Sequence, residues 1–149
     1  MEYMYKSPLG DFLIEYDERH ILSARFDREQ TQPHKPNPII ENCVKQLELY
    51  FAGKLKSFDL PLKPTGTDFQ KAVWAALQLI PHGQTRSYGE IAAALGRPRA
   101  ARAVGGANNK NPIYIIIPCH RVIAANAALT GYGGGIDRKA ALLDLEKQS

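Results

Sequence analysis

The order of patterns along the chain predicts an α/β fold of the α+β type: a small strand-rich N-terminal domain followed by a mainly helical C-terminal domain containing a helix-turn-helix. Three observations predict it. Short β-rich runs separated by turn residues occupy the first 26 positions, helical spacing dominates after residue 67, and a stretch holding Pro61, Pro64 and Gly66 lies between them. The expected division is residues 1–62 and 63–149.

Taken in order, Tyr3 to Lys6 reads as a strand, Ser7-Pro8-Leu9-Gly10 as a turn, and Phe12 to Tyr16 as the returning strand. Asp17-Glu18-Arg19 turns the chain again into a third strand, Ile21 to Phe26. Three prolines and polar neighbours from Thr31 to Pro38 suit a loop. Ile40, Val44, Leu47 and Phe51 then recur at helical spacing, with Cys43 on the same apolar face and Gly53 as the stop. After the connection, Thr67-Asp68-Phe69-Gln70 is a capping box opening a helix whose Phe69, Val73, Leu77 and Ile80 share one face. Pro81-His82-Gly83 ends that helix and makes His82 a surface or helix-end residue. Ser87 and Glu90 form a second capping box, Gly96-Arg97-Pro98 is a tight turn, and Arg99 to Ala107 is a small-residue helix carrying Arg102. Such a pair of helices is either a helix-turn-helix that enters DNA or an ordinary helical hairpin. A glycine-rich stretch, Thr130 to Gly135, precedes a terminal helix from Asp137 to about Lys147 with Ala141, Leu142 and Leu145 facing inward.

The totals narrow the function classes. With 149 residues, 44% of them apolar, the chain is long enough to bury a core. Two cysteines, Cys43 and Cys119, exclude a disulfide scaffold and a Cys-rich zinc site, and the four histidines are scattered, so no metal and no cofactor is expected. No run approaches the ~18 apolar residues of a membrane span, which predicts a soluble cytoplasmic protein. The net charge is only +4, but residues 82–121 carry six Lys or Arg against the single acid Glu90. Residues 1–30 carry seven acids against four bases. The second half is therefore suited to a polyanion.

The chemistry centres on Asn111 to Val122, where an apolar run delivers the thiol of Cys119 and the imidazole of His120 to one place. Ile113 to Ile117, bounded by Pro112 and Pro118, reads as a buried extended segment. Regular pairing stops at Pro118, so Cys119 is expected to leave the packed layer and face a cleft. Cys119 is then either an activated nucleophile or a small buried apolar residue. Neighbours in an extended chain point to opposite faces, so any activation by His120 is expected to run through a bridging water or a local turn.

Together, Ser87-Tyr88-Gly89-Glu90-Ile91-Ala92, Arg99 to Ala107, Asn111-Pro112, Pro118-Cys119-His120-Arg121-Val122 and Gly131-Tyr132 resemble the O6-alkylguanine-DNA alkyltransferases. The resemblance runs from about Phe69 to Glu146, and only in outline over the first sixty residues, which would be the family's ribonuclease-H-like supporting domain. It implies DNA repair by direct damage reversal: irreversible, single-turnover transfer of an alkyl group from O6-alkylguanine, and from O4-alkylthymine, onto Cys119. By the same resemblance, His120 activates Cys119, Glu146 orients His120, Asn111 supports the site and Tyr88 donates to the departing guanine. The backbone of Val122, Gly133 and Gly134 would read the base, Tyr132 and Tyr114 would line its pocket, and Lys139 would organise the site. Tyr114 stands where many relatives carry a smaller residue, predicting a pocket narrowed against bulky adducts; Gly133 lacks the serine or arginine side chain common there. Arg102 would fill the gap left by a flipped nucleotide, Ala101 and Ala103 would allow close approach to the minor groove, and Arg97, Arg99 and Arg121 would meet phosphates. The implied partner is double-stranded DNA containing O6-alkylguanine, met by a monomer. The competing expectations are a non-transferring sensor of alkylated DNA and a Cys-His hydrolase unrelated to DNA.

Overall fold

A computed structural model describes residues 1–28, 37–126, 129 and 131–149. β1 (Glu2–Ser7), β2 (Gly10–Tyr16) and β3 (Ile21–Phe26) form an antiparallel meander in the order β1-β2-β3. The turn between β1 and β2 closes where Ser7 pairs with Gly10, and Gly10 takes φ 127, open to glycine and strained for other residues. Phe12, Leu13, Ile14 and Tyr16 of the central strand are all fully buried.

α1 (Pro38–Phe51) starts from Asn37, whose side chain accepts a hydrogen bond from the Ile39 amide. Pro38 is therefore the first helical residue and not the end of a loop, as a proline at that position lacks only an amide that would have no partner. The rest of the expected loop, residues 31–36, lies outside the described residues. The buried face of α1 is Ile40, Cys43, Leu47 and Tyr50, a stripe turned slightly from the expected one, with Val44 and Phe51 half-buried at its margin. Cys43 is fully buried in the core, and burial pushes its thiol up to about 12.

The second half is built from short helices. α2 (Asp68–Leu77) and α3 (Tyr88–Ala94) both carry complete capping boxes, from Thr67 and Gln70 and from Ser87 and Glu90. α3 and α4 (Ala101–Asn109) pack together across the turn at Gly96, which takes φ 72. Trp74 of α2 donates its indole N–H to the Ala107 carbonyl at 2.8 Å, fastening α4 to α2. α5 (Ile136–Gln148) closes the chain, with Lys139, Leu142 and Glu146 as its buried residues; Ala141 and Leu145 are only partly covered. The buried residues of both halves form one continuous core.

The largest departure from the sequence expectation is the apolar run before Cys119. Only Ile113 behaves as strand, forming a parallel bridge to Ala24 with two 2.8 Å backbone bonds, Ala24 N–H to Pro112 and Tyr114 N–H to Ala24. Beyond it the chain coils. The Ile116 amide bonds the Tyr114 carbonyl at 2.8 Å around Ile115, which takes φ 70, and the Ile117 amide reaches back to Ile113 at 3.1 Å. A second three-residue turn centres on Pro118 (φ −81, ψ 64), where the Cys119 amide bonds Ile117. The β-branched run is buried, as its composition requires, but wound into turns whose positive-φ isoleucine costs on the order of 1–3 kcal/mol. Burial of Ile113, Ile115, Ile116 and Ile117 against both halves supplies the compensation.

Candidate active site

The turns deliver Cys119, His120 and Arg121 as one 3-10 turn, which places Cys119 inside the molecule instead of at an open cleft: its relative exposure is 3%. Immediately after it, β5 (Val122–Ile123) pairs in parallel with β4 (Arg86–Ser87). That two-residue ladder sets Tyr88, the first residue of α3, beside the Cys119 segment. α4 contributes Asn108, whose amide donates to the Cys119 carbonyl at 3.4 Å.

Burial pushes the Cys119 thiol up to about 11; a hydrogen bond from Asn111 and the positive charge of Lys139 pull the other way. Asn111 is itself held rigidly, donating to the Ile117 carbonyl and accepting from the Ile113 amide, both at 2.9 Å. Lys139 reaches from α5 to donate to the Val122 carbonyl at 2.6 Å. Burial holds this ammonium below the ordinary lysine range, opposed by the negative charge that Cys119 would carry.

The neighbouring imidazole is equally enclosed. His120 Nε2 lies 2.6 Å from Glu146 Oε2, and both side chains are fully buried. Burial drives the His120 pKa down, the Glu146 hydrogen bond and charge raise it, and the Arg121 and Lys139 charges add to the downward side, which prevails. A neutral ring donating from Nε2 to Glu146 leaves Nδ1 as an acceptor. Nδ1 is buried and has no hydrogen-bond partner among the described residues, the condition a proton acceptor needs.

Glu146 is the hub. Besides His120, it accepts from Tyr50 Oη at 2.6 Å and from Arg121 Nε and Nη2 at 2.8 and 3.0 Å. Burial alone would raise its carboxyl, but the hydrogen bonds and charges of His120 and Arg121 outweigh it and hold the group well below the usual carboxylate range. Packing of α5 against the Cys119–Arg121 turn buries Glu146 even though it lies in the last turn of its helix.

Arg121 corrects the sequence expectation. Its guanidinium is buried between Glu146 and the Ile80 carbonyl, which it meets at 2.8 Å, so it is an internal counter-ion and has no face for a phosphate. Arg97, Arg99 and Arg102 are exposed, as is Ala103, and Ala101 is half-covered. They lie on the turn before α4 and on its first residues; Arg97 also stacks over the Phe69 ring at 5.5 Å. His82 stands after the end of α2, half-buried, with both ring nitrogens covered and the ring edge-on to Tyr50 at 6.2 Å.

Two aromatic residues, Tyr114 and Tyr132, also lie within reach of the Cys119 charge. Tyr114 and Tyr132 pack with ring centroids 5.3 Å apart, and burial followed by the Cys119 charge raises both phenol pKa values. A Cβ built on Gly133 would collide with the Tyr114 hydroxyl, so the two departures noted in the sequence are one steric arrangement: Tyr114 occupies the room of the missing side chain. Tyr88 lays its ring along Gly105 of α4, and its hydroxyl lies 3.4 Å from where a Gly131 Cβ would stand. Gly131 takes φ 60, so a side chain there would be strained as well as crowded. Thr130 lies outside the described residues.

Three residues at this site escaped the sequence reading. Tyr50 comes from α1, Asn108 from the end of α4 and Arg138 from α5, and each acts through a long-range contact that no local spacing announces. Tyr50 alone left a trace, three residues beyond Leu47 on the apolar face of α1.

Comparison with known proteins bears directly on this arrangement. A family model described as 6-O-methylguanine DNA methyltransferase, DNA binding domain, matches residues 68–148, and its companion, the ribonuclease-like domain, matches residues 1–64. A methylated-DNA–protein-cysteine methyltransferase of Mycolicibacterium paratuberculosis is 62% identical, covering 95% of this chain and 89% of the relative. One from Methanosarcina acetivorans is 52% identical, covering 96% of each. Among solved structures, Mycobacterium tuberculosis OGT in complex with DNA superposes with a TM-score of 0.89 at 50% identity, over 99% of this chain and 93% of that one.

Proposed function

Since the chain belongs to the 6-O-methylguanine DNA methyltransferase family, we propose that Cys119 is the acceptor of the alkyl group and that the buried network around it makes the transfer possible. The protein repairs DNA by direct reversal, moving an alkyl group to a cysteine, and DNA is its partner. The finer assignment rests on one observation. Beside Cys119 the chain places His120, whose Nδ1 is buried without a partner among the described residues, and two groups that favour the Cys119 thiolate, Asn111 and Lys139.

At neutral pH a thiol with a pKa near 11 is almost wholly protonated, a barrier of about 5 kcal/mol to the thiolate. His120, kept neutral by burial and held in one tautomer by Glu146, takes the proton through a water. The sulfur then attacks the alkyl carbon attached to guanine O6. The S–C bond forms, the C–O6 bond breaks with its electrons going to guanine, and Tyr88 donates to the departing base. The His120 imidazolium gives its proton back through solvent to the Tyr88 phenolate, so that on balance guanine gains one proton, the thiol loses one, and the alkyl group rests on sulfur. The thioether cannot return to a thiol without another reagent, so each molecule acts once. Val122, Gly133 and Gly134 offer backbone groups to the base, and Tyr132 and Tyr114 form its wall.

A base stacked in a duplex cannot reach a thiol that is 3% exposed, so the O6-alkylguanine nucleotide is flipped out. Arg102, exposed on α4, fills its place, with Ala101 and Ala103 letting the helix approach the groove and Arg97 and Arg99 on phosphates. O4-alkylthymine presents the same alkyl–oxygen bond. The protein acts as a monomer, divided functionally at residues 62 and 63. The test is to incubate it with an O6-methylguanine duplex and weigh it: one methylene mass should be gained and should vanish in Cys119→Ser. No gain with undiminished DNA binding would favour a non-transferring sensor, and no gain without binding a hydrolase unrelated to DNA.

A further inference from the structure

Arg138, in the first turn of α5, joins three parts of the molecule that the chemistry above does not connect. Its Nε donates to the Leu9 carbonyl in the β1–β2 turn at 3.0 Å. Its Nη1 donates to the Gly134 carbonyl at 3.1 Å, and its guanidinium stacks over the Phe26 ring at 4.3 Å. Gly134 is one of the points where the two halves meet. A Cβ there would stand 2.6 Å from the Tyr132 ring on one side and 3.1 Å from the Phe26 ring on the other. Phe26 in turn packs against Phe12 at 4.9 Å, directly across the β2–β3 ladder. A continuous row thus runs from the fully buried centre of the N-terminal sheet through Phe26 and Gly134 to Tyr132 and Tyr114.

We propose that Arg138 is a positioning residue for alkyl transfer, clamping the Gly134 backbone onto Phe26 so that the N-terminal sheet sets the position of the Tyr132 wall. The inference rests on the reading that Tyr132 to Gly134 bound the lesion pocket. A planar guanidinium suits the task because it donates in two directions while its face lies on an aromatic ring. An ammonium offers no such fork. The N-terminal sheet therefore does more than enlarge the core: it fixes the backbone that the alkylated base is held against.

The experiment compares Arg138→Ala, Arg138→Lys, Phe26→Leu and the Phe26→Leu/Arg138→Ala double variant, each at a temperature where circular dichroism shows it folded. Transfer rate is measured at saturating O6-methylguanine duplex and, separately, from free O6-benzylguanine; affinity for unmodified duplex is measured alongside. Displacing a pocket wall by a fraction of an ångström slows chemistry by about tenfold or more. Arg138→Ala should therefore slow both substrates alike while unmodified DNA binds as in the wild type, with Arg138→Lys intermediate. The double variant should be no slower than Arg138→Ala. Wild-type rates in Arg138→Ala, a loss confined to duplex affinity, or multiplying effects in the double variant would each overturn the inference. Failure of the underlying reading is distinguishable: Tyr132→Ala would then transfer from both substrates at the wild-type rate, and if Cys119 were not the acceptor the wild-type protein itself would gain no mass there.

Discussion

Replacing Glu146 by glutamine is the sharpest test of the buried network, because size is kept and only charge and one acceptor are lost. Three donors converge on Oε2, from Tyr50, His120 and Arg121 at 2.6, 2.6 and 3.0 Å, and a fourth reaches Oε1 at 2.8 Å. A glutamine NH2 in either position faces a donor, and Arg121 is left as a buried cation without a counter-charge. Breaking a buried pair from one side costs about 3–5 kcal/mol. For a chain of this size that lowers the melting midpoint by roughly 10 °C. Loss of the tautomer on which His120 depends should also slow transfer by about 10²–10⁴. Urea unfolding followed by circular dichroism reads the first effect, and single-turnover transfer from an O6-methylguanine duplex the second. The Arg121→Met/Glu146→Leu double variant separates them: removing both charges should recover most of the stability but none of the rate. The pH dependence has a definite sign. A carboxyl held below its ordinary value of 4.5 contributes stability that is present above that value and lost as pH falls toward the folded one. The acid limb of the wild-type stability curve should flatten in Glu146→Gln. A glutamine variant within about 1 kcal/mol of wild type would refute the hub.

Four further outcomes are expected. Arg102→Ala should slow repair in duplex by about tenfold or more, since flipping costs a few kcal/mol, but leave transfer from free O6-benzylguanine nearly unchanged; equal losses would remove its role in the stack. Gly133→Ala should slow transfer by forcing the Tyr114 ring aside, and the Tyr114→Ala/Gly133→Ala pair should recover the rate and accept benzyl adducts faster than wild type; a silent Gly133→Ala would show that the collision is relieved elsewhere. The rate should be level near neutrality and fall as pH drops below 6.5 through the depressed His120 value, because the protonated ring accepts nothing. His120→Ala should abolish that limb, whereas a wild-type rate still climbing toward pH 11 would mean the thiolate forms without it. Arg97→Ala and Arg99→Ala should each reduce the salt slope of DNA binding by about one, and Arg121→Met should leave it unchanged.

Local physics made much of this molecule readable in advance. The three strands, the two capping boxes and the helix pair at Gly96 follow from alternation, turn residues and reciprocal side-chain bonds, all interactions among residues a few positions apart. In the Pro118–Val122 segment residue types left the Cys119 thiol either a nucleophile or a core residue, and the family resemblance alone chose between them. The run from Ile113 to Ile117 was misleading because β-branched residues between prolines satisfy a strand and a buried turn equally well. Backbone bonds to Ala24, 89 positions earlier by numbering, decide between them.

The sequence by itself therefore determined which elements form and which thiol and imidazole stand together, since those depend on neighbours along the chain. Only the tertiary structure decided what each charged side chain does. Glu146, which the resemblance set behind His120 alone, becomes the acceptor for Tyr50 and Arg121 as well. Arg121, written among the basic residues that face DNA, becomes its buried partner. The physical reason is that the energy of a charge is set by its burial and by the groups brought within about 3 Å of it, and α1, α5 and the Cys119–Arg121 turn meet only when the whole core has closed.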